Sequence, residues 1–162
     1  MNQRRALLAL LLAGTMASAH AQTIDLVRVL KAERKLQLLS ASVVQKEFQV
    51  ALGGSPVGHK QREGDQKTPE GSYVLDYKKS DSAFYKAIHI SYPNAEDIAR
   101  AKKEGVSPGG QIMIHGQKNG LGWLSSVFQS VDWTNGCVAL SNADMEEVWK
   151  LVKPGTQIEL RP

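Results

Sequence analysis

Cys137 is the only cysteine in a chain of 162 residues, and it stands in the stretch Asp132-Trp133-Thr134-Asn135-Gly136-Cys137-Val138-Ala139-Leu140. A thiol attacks carbonyl carbon well once a neighbouring base takes its proton. Gly136 lets the backbone turn sharply just before it, and the apolar run that follows could carry it onto a buried strand or the start of a helix. A base is available upstream. Met113-Ile114-His115-Gly116 places a histidine at the end of a short apolar run, where a strand would open into a loop. A free thiol titrates near ~8.5, and a paired imidazolium lowers that value. Taken singly, a lone cysteine is more often a small buried hydrophobe, so the chemistry depends on the fold bringing His115 alongside it.

The rest of the composition narrows the class. Residues 1–21 have Arg4 and Arg5, then the apolar run 6–13, and end at Ala19-His20-Ala21, a small-x-small cleavage pattern; they read as an export leader for the general secretory route. The apolar run is too short for a transmembrane anchor, and no cysteine marks a lipidation point, so a soluble exported protein, periplasmic or wall-associated, is expected. Cleavage removes two arginines and no acid, lowering the formal charge from +4 to +2. That leaves no basic stripe for nucleic acid and suits a lightly anionic matrix such as a cell wall. Residues 22–162 have the length of one domain with its own core. In an oxidising compartment a single cysteine cannot pair internally, so it is buried, paired with another molecule or used. Four scattered histidines and one cysteine show no metal-ligand spacing, and no cofactor site is expected.

The elements that must position the pair are mostly short strands. Residues 24–31 alternate, Glu33-Arg34 makes a turn, and 36–43 and 44–52 resume, with Phe48, Val50 and Leu52 on one face, as consecutive antiparallel strands. A polar loop over 55–67 leads to Thr68-Pro69-Glu70-Gly71, a turn in which proline fixes the second position and glycine closes it. Strands follow at 72–77 and 87–92. In the second, His89 faces away from Ile88 and Ile90, so it either lines a substrate groove or serves as a hydrogen-bonded structural histidine. Asn94 caps a helix over 95–104 with a solvated outer face. Residues 111–115 form the strand that delivers His115. Over 121–131, Trp123, Leu124, Val127, Phe128 and Val131 fall near helical spacing and predict an amphipathic turn or two. Ser141 with Asp144 opens a helix whose buried stripe is Met145, Val148, Trp149 and Val152, ended by Pro154-Gly155. A closing strand spans 156–160. The tally predicts a mainly β domain with minor α, a sandwich or barrel-like fold.

The order of motifs resembles the L,D-transpeptidase catalytic domain, also called the YkuD domain, of exported bacterial enzymes that remodel peptidoglycan. The resemblance rests on 64–71 with its Lys-Thr-Pro-Glu-Gly turn, on Ile114-His115-Gly116, and on 134–140, which matches a Ser/Thr-x-Gly-Cys core; it spans about 24–160. It implies that Cys137 is the acylated nucleophile and His115 its base. It also implies an oxyanion hole of backbone amides around Gly136 and Cys137, with Gly116 as a further backbone contributor. Thr134 could orient His115 or only shape the turn. Asp132 and Trp133 could border the groove, and Trp133 could equally pack beneath the loop. Many members have histidine and arginine where Asn135 and Ala139 stand here. Losing the arginine removes a fixed positive charge that would hold a carboxylate. This variant, with Ser91-Tyr92-Pro93-Asn94, resembles a compact subgroup that includes hydrolases releasing peptidoglycan-attached lipoprotein.

Three functions are open on these grounds. The first is a cysteine acyltransferase on peptidoglycan stem peptides, passing the acyl group to an amine. The second is a cysteine hydrolase of the same polymer, removing a terminal residue or a linked lipoprotein. The third is a non-catalytic wall-binding or redox domain in which the thiol merely persists.

Overall fold

The computed structural model describes residues 23–162, so the leader expected over 1–21 lies outside the described residues. Eight strands form one sheet: β1 (Leu26–Leu30), β2 (Lys35–Ser40), β3 (Val43–Gln49), β4 (Gly71–Lys79), β5 (Ala87–Ile90), β6 (Met113–His115), β7 (Val138–Ala139) and β8 (Thr156–Arg161). Their order across the sheet is β3-β2-β1-β8-β4-β5-β6-β7. Neighbours are antiparallel except for β1 with β8 and β6 with β7. Alternation in β1, β2 and β8 buries Val27, Val29, Leu36, Leu38, Ile158 and Leu160 on the core side.

The sheet curls until its two edges meet. Ala51, just beyond edge strand β3, exchanges both backbone hydrogen bonds with Ala139 of edge strand β7, at 2.9 and 2.8 Å. Gly53 and Thr134 continue the seam. The fold is therefore the expected mainly β domain, in its barrel-like form: one curled half-barrel in place of two packed sheets.

Two longer helices complete the core. Helix α1 (Ala95–Glu104) begins at a capping box, in which the Asn94 side chain accepts the amides of Glu96 and Asp97 while Asp97 accepts the Asn94 amide. Helix α3 (Asn142–Leu151) begins with Ser141 Oγ accepting the Asp144 amide, and it sends Met145 and Val148 into the core.

Two expectations need correction. The break between the second and third strands falls at Ala41-Ser42, both in the left-handed region at φ 48° and 67°, and not between Val43 and Val44. Such a two-residue turn usually announces itself with Asn or Gly, and here it does not. Residues 121–131 form a 3₁₀ turn (Gly122–Leu124) and the one-turn α2 (Ser125–Phe128). The expected amphipathic stripe is too short to lie against the sheet: Trp123, Val127 and Val131 are exposed.

Candidate active site

Cys137 and His115 reach one groove through the register of β6 and β7. Parallel neighbours require a crossover of a dozen or more residues, and residues 116–137, with the 3₁₀ turn and α2, supply it. Ile114 pairs with Val138 and His115 with Ala139. One step back along the same register sets Met113 beside Cys137, and the Met113 amide points at Cys137 Sγ from 3.4 Å. Ile114 and Val138 face the core, so Met113, His115 and Cys137 share the opposite face. Strand spacing and rise put the Cα atoms of His115 and Cys137 roughly 8 Å apart on a diagonal. At rest Cys137 Sγ is held by the Met113 amide and the Gln111 carbonyl, and no hydrogen bond joins it to His115. Both side chains line one open groove of about 270 Å³, together with Met113, Gln111, Phe84 and Lys79.

His115 is oriented and shielded. Its Nδ1 donates to the Gly116 carbonyl at 2.6 Å, which fixes the tautomer and leaves Nε2 as the basic nitrogen. Phe84 lies over the ring with centroids 4.2 Å apart, and Trp133 meets it edge-on at 5.9 Å. Phe128 backs Trp133 at 5.3 Å. Burial lowers the His115 pKa from its ordinary 6.5, against the smaller opposite pull of the Gly116 carbonyl. Burial likewise raises the Cys137 thiol above its ordinary 9.0, outweighing the Met113 amide and the Lys60 ammonium. Both shifts favour neutral forms. Desolvation thus works toward thiol and imidazole at rest, and a thiolate beside an imidazolium would form against it.

The turn before Cys137 is held by a dense set of bonds. Thr134 Oγ1 donates to the Cys137 carbonyl at 2.8 Å and accepts the Gly136 amide at 3.1 Å. Its own carbonyl accepts the Gly54 amide. Thr134 therefore shapes the turn and does not orient His115, because all its polar atoms are committed inside the loop and seam. Asp132 does not border the groove either. Its carboxylate takes the Arg34 guanidinium at 2.7 Å and the Leu52 amide at 2.9 Å, tying the Cys137 loop to the β1–β2 turn and to the segment after β3. Gly136 sits at φ 120°, and a Cβ there would stand 2.5 Å from the Lys67 carbonyl oxygen.

The oxyanion expectation changes in its membership. The Gly116 amide donates to the Tyr85 carbonyl at 2.8 Å and the Gly136 amide to Thr134, so neither is free to meet a developing charge. The Cys137 amide has no acceptor among the described residues, which makes it the backbone donor left at the site. Asn135 is exposed at the tip of the turn. Trp133 packs edge-on against the His115 ring, while His89 lies outside the groove lining and bonds Asp76 at 2.7 Å. Sequence reasoning missed Phe84 and Gln111. Phe84 sits in a polar loop with no periodicity, and it reaches His115 because residues 83–85 pair with 116–119. Gln111 stands at φ 55° and turns its carbonyl to 3.7 Å from Sγ. Among the described residues, no three His, Cys, Asp or Glu side chains converge as metal ligands. No helix among them is long and apolar enough to cross a membrane.

A histidine and a cysteine on adjacent parallel strands at the rim of a curled half-barrel define a class of β-rich catalytic domain. The family model for the L,D-transpeptidase catalytic domain, YkuD, matches residues 24–160, and the chain belongs to that family. It is 30% identical over an alignment of 149 residues to YafK of Escherichia coli K12, which carries the L,D-transpeptidase name; the match covers 84% of this chain and 53% of YafK. Among solved structures it is similar to the helical cell shape determining protein Pgp2 of Campylobacter jejuni, with TM-score 0.65 and 24% identity over 87% of this chain and 48% of that one. It also matches an L,D-transpeptidase segment from Xylanimonas cellulosilytica, with TM-score 0.56 and 16% identity over 87% of this chain and 62% of the other. The chain spans about half the length of YafK and Pgp2.

Proposed function

We propose that this protein is an exported, peptidoglycan-modifying cysteine acyltransferase acting on stem peptides. The observation that carries the reading is the placement of Cys137 and His115 on the same sheet face, lining one open groove. An amide carbonyl of the stem enters the groove and meets the Cys137 sulfur. His115 Nε2 takes the thiol proton as the carbon–sulfur bond forms, and the Cys137 amide receives the oxyanion. Collapse of that intermediate breaks the carbon–nitrogen bond, and His115 returns the proton to the departing amine. A thioacyl enzyme is left. By family resemblance the donor is a tetrapeptide stem, cleaved after its third residue. An acceptor amine then attacks the thioester, with His115 again as base, and restores the thiol.

Hydrolysis is the second reading, and one observation favours it. Ala139 is fully buried and bridged to Ala51, so the arginine many members have at this position, with its grip on a carboxylate, has no counterpart here. Water entering the open groove would then resolve the thioester, giving a carboxypeptidase or an enzyme that releases a peptidoglycan-linked lipoprotein. Incubating the purified protein with stem tetrapeptide and following products by mass spectrometry separates the cases. Dimers joined through the third residue support transfer, and tripeptide alone supports hydrolysis. No turnover with retained sacculus binding supports a non-catalytic wall-binding domain. Cys137→Ala must lose the covalent adduct; an adduct that persists in that variant sinks the assignment.

A further inference from the structure

Strand β4 carries an irregularity that the acyl chemistry does not use. Leu75 pairs with Ile90 and Lys78 with Ile88, so Asp76 and Tyr77 both stand against the single residue His89. A bulge of this kind inserts one residue and re-aims the side chains around it. Strict alternation from the buried Tyr73 and Leu75 would point Tyr77 into the core. The bulge turns it to the opposite face, where it is 40% exposed. There its ring stacks on His89, with centroids 4.6 Å apart and planes 13° from parallel. Asp76 Oδ1 accepts His89 Nδ1 at 2.7 Å and the Tyr77 amide at 3.0 Å. No described residue donates to Asp76 Oδ2.

This stack belongs to the same surface as the nucleophile. His89 pairs with Met113, and Met113 lies beside Cys137, so Tyr77, His89, Met113 and Cys137 form one row across four strands. Three strand spacings set Tyr77 roughly 14 Å from Cys137. In a stem peptide, three extended residues separate the attacked carbonyl from the link to the sugar, roughly 10 Å, and that link spans the remainder. The platform is flat and flanked by a carboxylate. An apolar peptide side chain calls for a pocket, whereas a pyranose presents a flat C–H face edged with hydroxyls.

We propose that Tyr77, backed by His89 and flanked by Asp76, is a subsite for the N-acetylated amino sugar that carries the stem peptide. The sugar's C–H face lies on the exposed tyrosine ring, and Asp76 Oδ2 accepts one of its hydroxyls. The subsite rests on the reading that stem peptides occupy the groove.

The test compares a free tetrapeptide with the same tetrapeptide attached to its disaccharide, measuring binding by calorimetry to the Cys137→Ala protein and KM with the active enzyme. The disaccharide form should bind roughly three- to tenfold more tightly, the range of one aromatic contact. Tyr77→Ala should collapse that ratio to about one, while Tyr77→Phe, which keeps the ring, should retain it. Equal affinity for the two ligands in the unsubstituted surface, or a preference that survives Tyr77→Ala, overturns the subsite. Loss of the ratio in Tyr77→Phe as well overturns the stacking argument. Because the calorimetry needs no turnover, sugar-dependent binding by a protein that forms no acyl-enzyme would overturn the acyl chemistry and keep the subsite.

Discussion

His115, the base in the proposed mechanism, is kept dry. Phe84 and Trp133 cover a ring whose one nitrogen is already committed to the Gly116 carbonyl, and burial then favours the uncharged imidazole. The acid limb of kcat/KM is therefore expected below 6.5, the ordinary histidine value. Phe84→Leu admits water and should move that limb upward toward 6.5; a limb that stays in place in this variant would mean that Phe84 does not shield the base. The same shift links to stability. Below 6.5 the unfolded chain takes up the proton that folded His115 refuses, so stability falls with pH from there down to the folded pKa. Exchanging His115 for glutamine should flatten that part of a chemical-denaturation series against pH. The residue types and the chain positions of this pair were legible in the sequence. The sign of their pKa shifts was not, because the shielding ring comes from Phe84, in a loop whose neighbours are polar and whose pairing with 116–119 no local pattern announces.

The turn that presents Cys137 gains its rigidity from Thr134 and Gly136. The Thr134 hydroxyl satisfies both the Cys137 carbonyl and the buried Gly136 amide. Thr134→Val keeps the shape and strands both groups, at a cost of about 1–3 kcal/mol. The expected outcome is a lower thermal midpoint and a lower kcat, with Thr134→Ser restoring both. A Thr134→Val protein with unchanged melting would show that the bonds carry no net stability. Gly136→Ala forces a left-handed alanine against the Lys67 carbonyl, and strain of this kind costs about 1–3 kcal/mol. It should also alter the rate at which iodoacetamide labels Cys137, since the displaced turn carries the sulfur with it. Here the sequence was informative in part: Gly136 before an apolar run marked a sharp turn, while leaving open whether a strand or a helix follows it. The β4 bulge was not. Tyr77 continues the alternation of Tyr73 and Leu75 without a glycine or a polar break, and only its pairing with β5 shows that the period fails.

The half-barrel brings its edges together beside the turn that carries Cys137. Edge strand β7 has two residues and follows Cys137 directly, so little of its own pairing holds that residue in place. The other edge supplies what is missing: Ala51 bonds Ala139 in both directions, the Leu52 carbonyl accepts the Thr134 amide, and Asp132 reaches back to the Leu52 amide. Closing a sheet removes an exposed edge, and in this protein it also clamps the turn before Cys137. None of this could be read from 50–54, where a short apolar run followed by two glycines looks like the end of a strand. Ala51→Pro deletes the donor to the Ala139 carbonyl, costing about 1–3 kcal/mol for the stranded acceptor. If the seam acts as one clamp, hydrogen exchange should quicken together at the amides of Gly54, Thr134 and Ala139 while β1, β2 and β8 stay protected, and acylation should slow. If exchange changes only next to position 51 and acylation is untouched, the seam is mere covering and the turn stands on Thr134 and Gly136 alone.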